Sequence, residues 1–515
     1  MLLIHISKLI GLRDGIEELF SKKLDLKELT NIELLEALAI EEARENFHAY
    51  RRLIHGKKLK ISWFVIELDN HLQQFYTDFI AGKKPKLAIS MAPQHGKTSA
   101  VVDFICWLSG KNPDVRSIYT SFSERLGVRA NLACQRTFDS ARYQRIFPGT
   151  KISTAGLADT FGATRNRELI EFIDKEGYFR NTTVRGAISG EGLDLGVVDD
   201  PLKGREAANS STTRQSVWEW LTDDFMTRFS ENAGMLIIAT RWHVDDPISR
   251  LKNELGDTLK VVSYPAIAIK DEKHRKEGDP LFPELKSLEF LQIMKQTMSS
   301  ISWESLYQGD PQIVGGDIIK SEYFKSYTVL PRLEERNIYA DTAMKTAERN
   351  DYSVFECWGK SVEGGVYLVD LIRGKWEAPE LERRAIAFWN KHKALDSYER
   401  GTLRKFKVED KASGTGLIQK LTKPEFGRPA IPVIGVERTK DKYTRVLDCL
   451  GYIESGYVYL PIQAPFYSDF VDECEKFTAD DSHPHDDQID PMLDAINDYL
   501  ADKSSLSVWA ALGKH

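Results

Sequence analysis

No run of about 18 or more apolar residues occurs in this sequence, so no membrane-spanning helix is expected. Cysteine is scarce. The five present (Cys106, Cys134, Cys357, Cys449 and Cys474) form no CxxC pair. Neither a disulfide framework nor a zinc site is suggested, and a reducing cytoplasm fits. The opening MLLIHISKLIGLRDG is apolar but lacks the basic lead and small-residue cleavage site of a signal peptide. No internal repeat or low-complexity tract stands out. An excess of basic charge is lacking too, the net charge being −7. That argues mildly against a nucleic-acid binder. The objection is weak for a large enzyme, where one basic face coexists with acidic metal sites. What remains is ordinary globular composition over 515 residues, long enough for two or three domains, each with its own core.

Residues 1–60 read as a polar helical segment. LKELTNIELLEALAIEEARENF has apolar residues at helical spacing and reads as a surface helix or helix pair, a solvated appendage. Over 61–265 the short apolar runs KLAISMA, RSIYTSF, LGVVDD, GMLIIATRW and LKVVSYPA alternate with helical stretches such as TTRQSVWEWLTDDFMTRFS. This pattern predicts an α/β unit with a mostly parallel sheet. Residues 266–330 are less regular: KDEKHRKEGDPLFPELKS reads as an exposed connection and Gly315-Gly316 as a hinge. The block 331–502 is again strand-rich, with NIYADTA, SVFECWG, VYLVDLI, a helix near 378–393, and FKVED. A tail follows over 503–515, with Trp509 as its anchor.

In MAPQHGKTSA, residues 91–100, Gly96-Lys97-Thr98 falls between an apolar strand and a helix, where a phosphate-binding loop belongs. Backbone N–H groups and the helix N-terminus there hold anionic oxygens. Lys97 supplies a point charge to the terminal phosphates and Thr98 a hydroxyl for Mg²⁺. The opening glycine is replaced by Met91, and Pro93 presets a different route for the loop. In LGVVDDP a second apolar strand ends in two carboxylates. Asp199 suits Mg²⁺, and Asp200 suits orienting or deprotonating the attacking water. A third strand ends in Thr240-Arg241-Trp242-His243. Thr240 there is a candidate γ-phosphate sensor, while Arg241 and His243 serve equally well as caps of the sheet.

Carboxylates also close the strands of the second block. Asp341 ends NIYA, Glu409 and Asp410 end FKV, and Asp486, Asp487 and Asp490 stand at a helix start in HPHDDQIDPMLDAINDYL. Oxygen ligands at three such places suit two Mg²⁺ or Mn²⁺ ions and phosphodiester hydrolysis. The order of strands and helices is that of a ribonuclease H-like nuclease. Singly, each acid is an ordinary cap; His483 and His485 read as solvated loop residues. Lys345, Arg349, Lys411, Arg438, Lys440, Lys442 and Arg445 flank the acids and are candidates to track DNA phosphates.

With both constellations in place, the chain resembles the large terminase subunit of tailed bacteriophages from about residue 60 to 500. APQHGKTSA is similar to the family's proline-led phosphate loop, whose usual basic residue is here Gln94. GEGLDLGVVDDPLKGREAA resembles its Mg²⁺-binding strand, IIATRWHVDD its coupling motif, and WESLYQGDP the segment leading to the nuclease. YADTA, VEDKASGTG and HDDQID resemble its three nuclease acid motifs. The resemblance implies a RecA-like, additional-strand P-loop ATPase, a small linker or lid subdomain, and a ribonuclease H-like nuclease. It assigns ATP and Mg²⁺ to Gln94, His95, Gly96, Lys97, Thr98, Ser99, Asp199 and Asp200, and the coupling of hydrolysis to movement to Thr240. The nuclease ions, Mg²⁺ or Mn²⁺, fall to Asp341, Glu409, Asp486 and Asp487. Glu409 matches better than Asp410, and the choice of direct ligand between Asp486 and Asp487 stays open. Arg125, Arg129 and Arg136 are candidates for an arginine finger given to the next subunit. The implied partners are double-stranded DNA, the portal protein of a procapsid, a small terminase subunit, and copies of the chain itself. Those copies form a homo-oligomeric ring on the portal from subunits monomeric in solution, in the host cytoplasm. A helicase–nuclease is the competing reading; it needs a second RecA-like core, for which the acids after residue 330 leave no room.

Overall fold

A computed structural model describes residues 31–153, 162–188, 190–311, 318–342, 352–424, 429–478 and 486–501. The first block of apolar runs forms β1 (Lys86–Met91), β2 (Arg116–Ser121), β3 (Leu169–Glu171), β4 (Tyr178–Thr183), β5 (Leu193–Asp199), β6 (Phe229–Ala239) and β7 (Leu259–Tyr264). They lie in the order β3-β4-β2-β5-β6-β1-β7. Every neighbouring pair is parallel except β3 with β4. A parallel sheet buries both faces, which is why its strands read as continuous apolar runs. Along β1, Leu87 and Ile89 enter one core with Tyr119, Val197 and Leu236. Ala88, between them, faces the other with Ile118, Val198 and Met235. β6 is the additional strand, inserted between β1 and β5.

The N-terminal helices differ from the solvated appendage read in the sequence. In Phe47–His55, capped by Asn46 at 2.8 Å from the Ala49 amide, Phe47 and Tyr50 are fully buried. Arg51 from the same helix pairs with Asp69 at 2.6 Å and with Asp103 at 2.9 Å. Asp103 lies on Lys97–Lys111, the helix that follows the phosphate loop. The polar stripe is thus partly an internal charge network. Periodicity alone does not distinguish a solvated charge from one with a buried partner.

The second block forms β8 (Lys325–Tyr327), β9 (Leu333–Asp341), β10 (Ser353–Ser361), β11 (Val366–Gly374), β12 (Thr402–Glu409), β13 (Val433–Val436) and β14 (Val458–Pro461). Their order is β13-β12-β9-β10-β11-β14-β8. β9, β10 and β11 are antiparallel, while β12 runs parallel to β9 and β13 parallel to β12. Helix Ala378–Lys393 covers one face through Phe388 and Trp389. Helices Lys442–Glu454 and Ile489–Ile496 cover the other. This is the mixed sheet of a ribonuclease H-like domain. Between the two sheets lie the helices Leu288–Thr297 and Ser300–Trp303. Gly451 packs so tightly there that a Cβ would stand 2.9 Å from the Ser299 amide. Arg205 also crosses between the halves, to Asp448 at 3.0 Å.

Candidate active sites

Because β6 pairs with both β1 and β5, three strand ends meet at one edge of the first sheet. Ser90 stands opposite Ala239, and Asp199 opposite Ile238. After β1 the chain turns through Gln94, in a left-handed conformation at φ 62°, and Gly96 at φ 89°, and the helix opens at Lys97. Gly96 has the backbone that glycine adopts without strain, so the loop's single glycine stands where the geometry calls for one. Lys97 is buried and reaches across to the Thr240 hydroxyl and to Asp200 Oδ1, the latter at 3.1 Å. The Thr240 amide donates to the same Asp200 oxygen at 2.7 Å. Asp200 itself sits at φ 44°. A non-glycine residue in that region costs on the order of 1 kcal/mol, a strain that concentrates at functional sites.

Asp199 behaves differently from its neighbour. Its Oδ2 accepts from the Thr98 hydroxyl at 2.8 Å and from the Tyr119 hydroxyl at 2.5 Å. Burial and the adjacent Asp200 charge push its carboxyl up to about 6. Its Oδ1 is buried with no hydrogen-bond partner among the described residues. A hydroxyl beside an orphaned carboxylate oxygen is a donor set that fits a hard divalent cation. Among the other loop residues, Ser99 and Gln94 are exposed, while His95 is buried with Nδ1 3.1 Å from the Pro93 carbonyl. Arg241 pairs with Asp246 and donates to Ser249 at 2.6 Å, so it fixes the start of helix Pro247–Leu255. Arg125, Arg129 and Arg136 are exposed on helix Glu124–Phe138.

The second site is built around an arginine. Asp341 and Glu409 end the adjacent parallel strands β9 and β12. Gly414 lets the next helix start close by; a Cβ there would meet the Glu409 carbonyl at 1.9 Å. Arg438 inserts between these acids, 3.2 Å from Asp341 and 2.9 Å from Glu409. It also lies 3.2 Å from Asp490 and 2.9 Å from Asp494. Lys442 binds Asp486 and stands 3.1 Å from Asp490; Arg445 binds Asp490 and lies 2.9 Å from Asp494. Asp341 is raised to about 7 by burial, against the pull of Arg438. Asp490 is buried as well, yet Lys442, Arg438 and Arg445 hold it down at about 2. Among the described residues no three His, Cys, Asp or Glu are preassembled to hold one ion. The oxygen donors suit Mg²⁺ or Mn²⁺, with the guanidinium standing where they converge.

The structure thus brings Asp341, Glu409, Asp490 and Asp494 together. Asp486 is turned to Lys442, Asp487 accepts from the Tyr352 amide at 3.2 Å, and Asp410 is exposed and bonded to Thr415. Arg438, Lys442 and Arg445, read in the sequence as candidates for DNA phosphates, are internal counter-ions of the acids. Tyr119, Asp494 and Lys286, which reaches the loop at Gln94, were absent from the reading of the sequence. Asp490 and Asp494 carry a signal, being four apart on one helix face. Tyr119 and Lys286 carry none. His483, His485, Lys345, Arg349, Gly315, Gly316 and Trp509 lie outside the described residues.

An additional-strand P-loop ATPase fold followed by a ribonuclease H-like fold defines a nucleotide-driven motor joined to a nuclease. Residues 88–320 match the family model "Terminase large subunit, T4likevirus-type, N-terminal", and residues 338–498 match "Terminase RNaseH-like domain". The chain belongs to the large terminase family. It is an ATPase and a nuclease of viral DNA packaging. No curated protein matches the chain. Similar solved structures include the large terminase of a thermophilic bacteriophage in complex with ATP-gamma-S, 12% identical over 83% of this chain and 98% of that one, with a TM-score of 0.45. The HK97 bacteriophage large terminase is 12% identical over 85% and 95%, with a TM-score of 0.35. The Thermus phage P74-26 large terminase ATPase domain is 14% identical over 43% and 86%, with a TM-score of 0.27. No helix among the described residues is long and apolar enough to cross a membrane.

Proposed function

We propose that ATP with Mg²⁺ is bound between Gly96-Lys97-Thr98 and Asp199, and that Asp200 orients the attacking water. The observation that carries this is the meeting of Lys97, Asp200 and Thr240 across three strands. Lys97 holds Asp200 and Thr240 in register while no phosphate is present. Its transfer to the terminal phosphate frees Asp200 to accept a proton from water and Thr240 to report the change along β6. When bound beside Thr98 and Asp199, the divalent ion supplies charge neutralisation of the phosphates.

At the second site Asp341, Glu409 and Asp490 are the proposed holders of Mg²⁺ or Mn²⁺, with Asp494 and Asp487 at its margin and Asp486 held by Lys442. Such ions supply an activated water and a stabilised leaving oxygen. Arg438 keeps the acids gathered. We assign the N-terminal helices from residue 31 and the chain up to 265 to the ATPase domain, 266–320 to the linker and 321–501 to the nuclease, since Phe47 and Tyr50 pack in the first core and β8 lies in the second sheet, ahead of the boundary at 331.

In the proposed assembly, monomers from the host cytoplasm form a ring on the portal, with the small terminase subunit bringing double-stranded DNA. One of Arg125, Arg129 and Arg136 then enters the next subunit's ATP site. Their exposure, without an ion pair among the described residues, supports this, since a finger must be free to leave its own subunit. Mixing an Arg129→Ala variant with wild type tests that candidate. Ring ATPase activity falls more steeply than the mixing ratio while ATP binding by the monomer survives; a linear response removes Arg129.

A further inference from the structure

Lys286 lies 192 residues beyond the phosphate loop in sequence, yet its ammonium donates a 3.0 Å hydrogen bond to Gln94 Oε1. Three features make this more than a surface contact. The lysine is held from behind, its ammonium 4.3 Å from the Phe290 ring centroid. The segment that carries it is anchored: Leu281 and Phe282 are part of the ATPase core, the Lys286 amide donates to the Phe282 carbonyl at 2.8 Å, and Lys60 donates to the Glu284 carbonyl at 2.7 Å. Among the described residues no carboxylate pairs with Lys286, whereas Lys97 shares its charge with Asp200. A triphosphate carries several negative charges, and a loop whose own lysine is partly neutralised leaves charge for a second cation to meet.

We propose that Lys286 is a second phosphate-binding cation of the nucleotide site, delivered by the linker, and that it distinguishes triphosphate from diphosphate. On binding of a nucleoside triphosphate its ammonium passes from the Gln94 amide oxygen to the terminal phosphate. In the diphosphate state it returns to Gln94. The preset cation–π contact and the anchored segment lower the ordering cost of that exchange. Burial first, and the nearby Lys286 and Lys97 charges in addition, push the imidazole of His95, buried beside this pair, below its ordinary value. Because Lys286 belongs to the segment joining the two sheets, loss of the terminal phosphate also returns that segment to its contact with Gln94.

This inference rests on the nucleotide-site reading, and the experiment separates the two. Affinities for ADP and for a non-hydrolysable ATP analogue are measured by displacement of a fluorescent nucleotide from the full chain. The forms compared are wild type, Lys286→Ala, Lys286→Gln, Lys286→Arg, and Lys286→Ala with Gln94→Arg. Loss of one charge-assisted hydrogen bond predicts about tenfold weaker binding of the analogue to the alanine and glutamine variants, with ADP within about twofold. Lys286→Arg stays near wild type, and Gln94→Arg restores most of the loss by returning a cation to the same place. Equal weakening of both nucleotides, no weakening, or no rescue overturns the role of Lys286. Wild type that binds neither nucleotide overturns the site reading itself, and this inference with it.

Discussion

Asp199 and Asp200 are adjacent in sequence and opposite in circumstance. Asp199 is buried and raised to about 6, with one orphaned oxygen; Asp200 is more open and bound by Lys97 and the Thr240 amide. Asp200→Asn keeps the shape and removes the proton acceptor. It is expected to lower ATP turnover by about 10²-fold or more while ATP affinity stays close to wild type; loss of affinity with unchanged turnover would reverse the assignment. Arg438 gives a second residue-level test. Replacing it with Gln removes the cation that Asp341, Glu409, Asp490 and Asp494 share, leaving Lys411, Lys442 and Arg445 as the remaining counter-ions. A loss of about 3 kcal/mol is expected in chelator, with Mn²⁺ raising the melting temperature more than it does for wild type. His243 supplies the pH test. Burial, aided by Arg214, holds it down at about 4, and its Nδ1 accepts from the Asp245 amide at 3.0 Å. A folded-state pKa below the unfolded value of about 6.5 means the unfolded chain binds the extra proton first. The contribution of His243 is therefore full above about 6.5 and is lost as pH falls toward about 4. His243→Asn, which keeps an acceptor for that amide, should flatten this part of the melting temperature's pH dependence relative to wild type. The sequence revealed the residue types of both sites because strand–loop–helix chemistry is local. It did not reveal which helix acids meet Asp341. That depends on the rotation of helix Ile489–Ile496, fixed by packing of Ile489, Met492, Leu493 and Ile496 in the core.

Elements carry the sites by their ends. β1, β5 and β6 were legible as apolar runs, as were β9 to β12, and the helix near 378–393 falls at Ala378–Lys393. β3, β4, β8, β13 and β14 were not. Most are only three or four residues long, and their half-exposed patterns have too few positions to establish a period. Helix Lys442–Glu454 is the element with the widest reach. Lys442 and Arg445 hold Asp486, Asp490 and Asp494, while Asp448 and Thr444 face Arg205 and Asn209, just past the Asp199-Asp200 strand end. Arg205 is mostly buried and its charge is desolvated, with Asp448 as its counter-ion. Asp448→Ala leaves that guanidinium with the Ser302 hydroxyl but no counter-ion there and should cost about 1 kcal/mol at the seam. Limited proteolysis would then separate the halves sooner, with ATPase and nuclease rates of the intact chain little changed. Cleavage at the wild-type rate would show that the pair does not hold the seam.

At the scale of the whole molecule, one chain carries two sheets of different topology, each with its own acid-lined edge. The N-terminal helices are tied into the first through Arg51 and Asp103, on the helix that begins at Lys97. Two independent sites predict separable activities. The most direct measurement is a paired assay of ATP turnover and metal-dependent DNA cutting on two variants of the full chain. Lys97→Ala is expected to abolish turnover and leave cutting intact, and Asp341→Ala to do the reverse. If either folded variant lost both activities, the assignment of one site to each half would be contradicted.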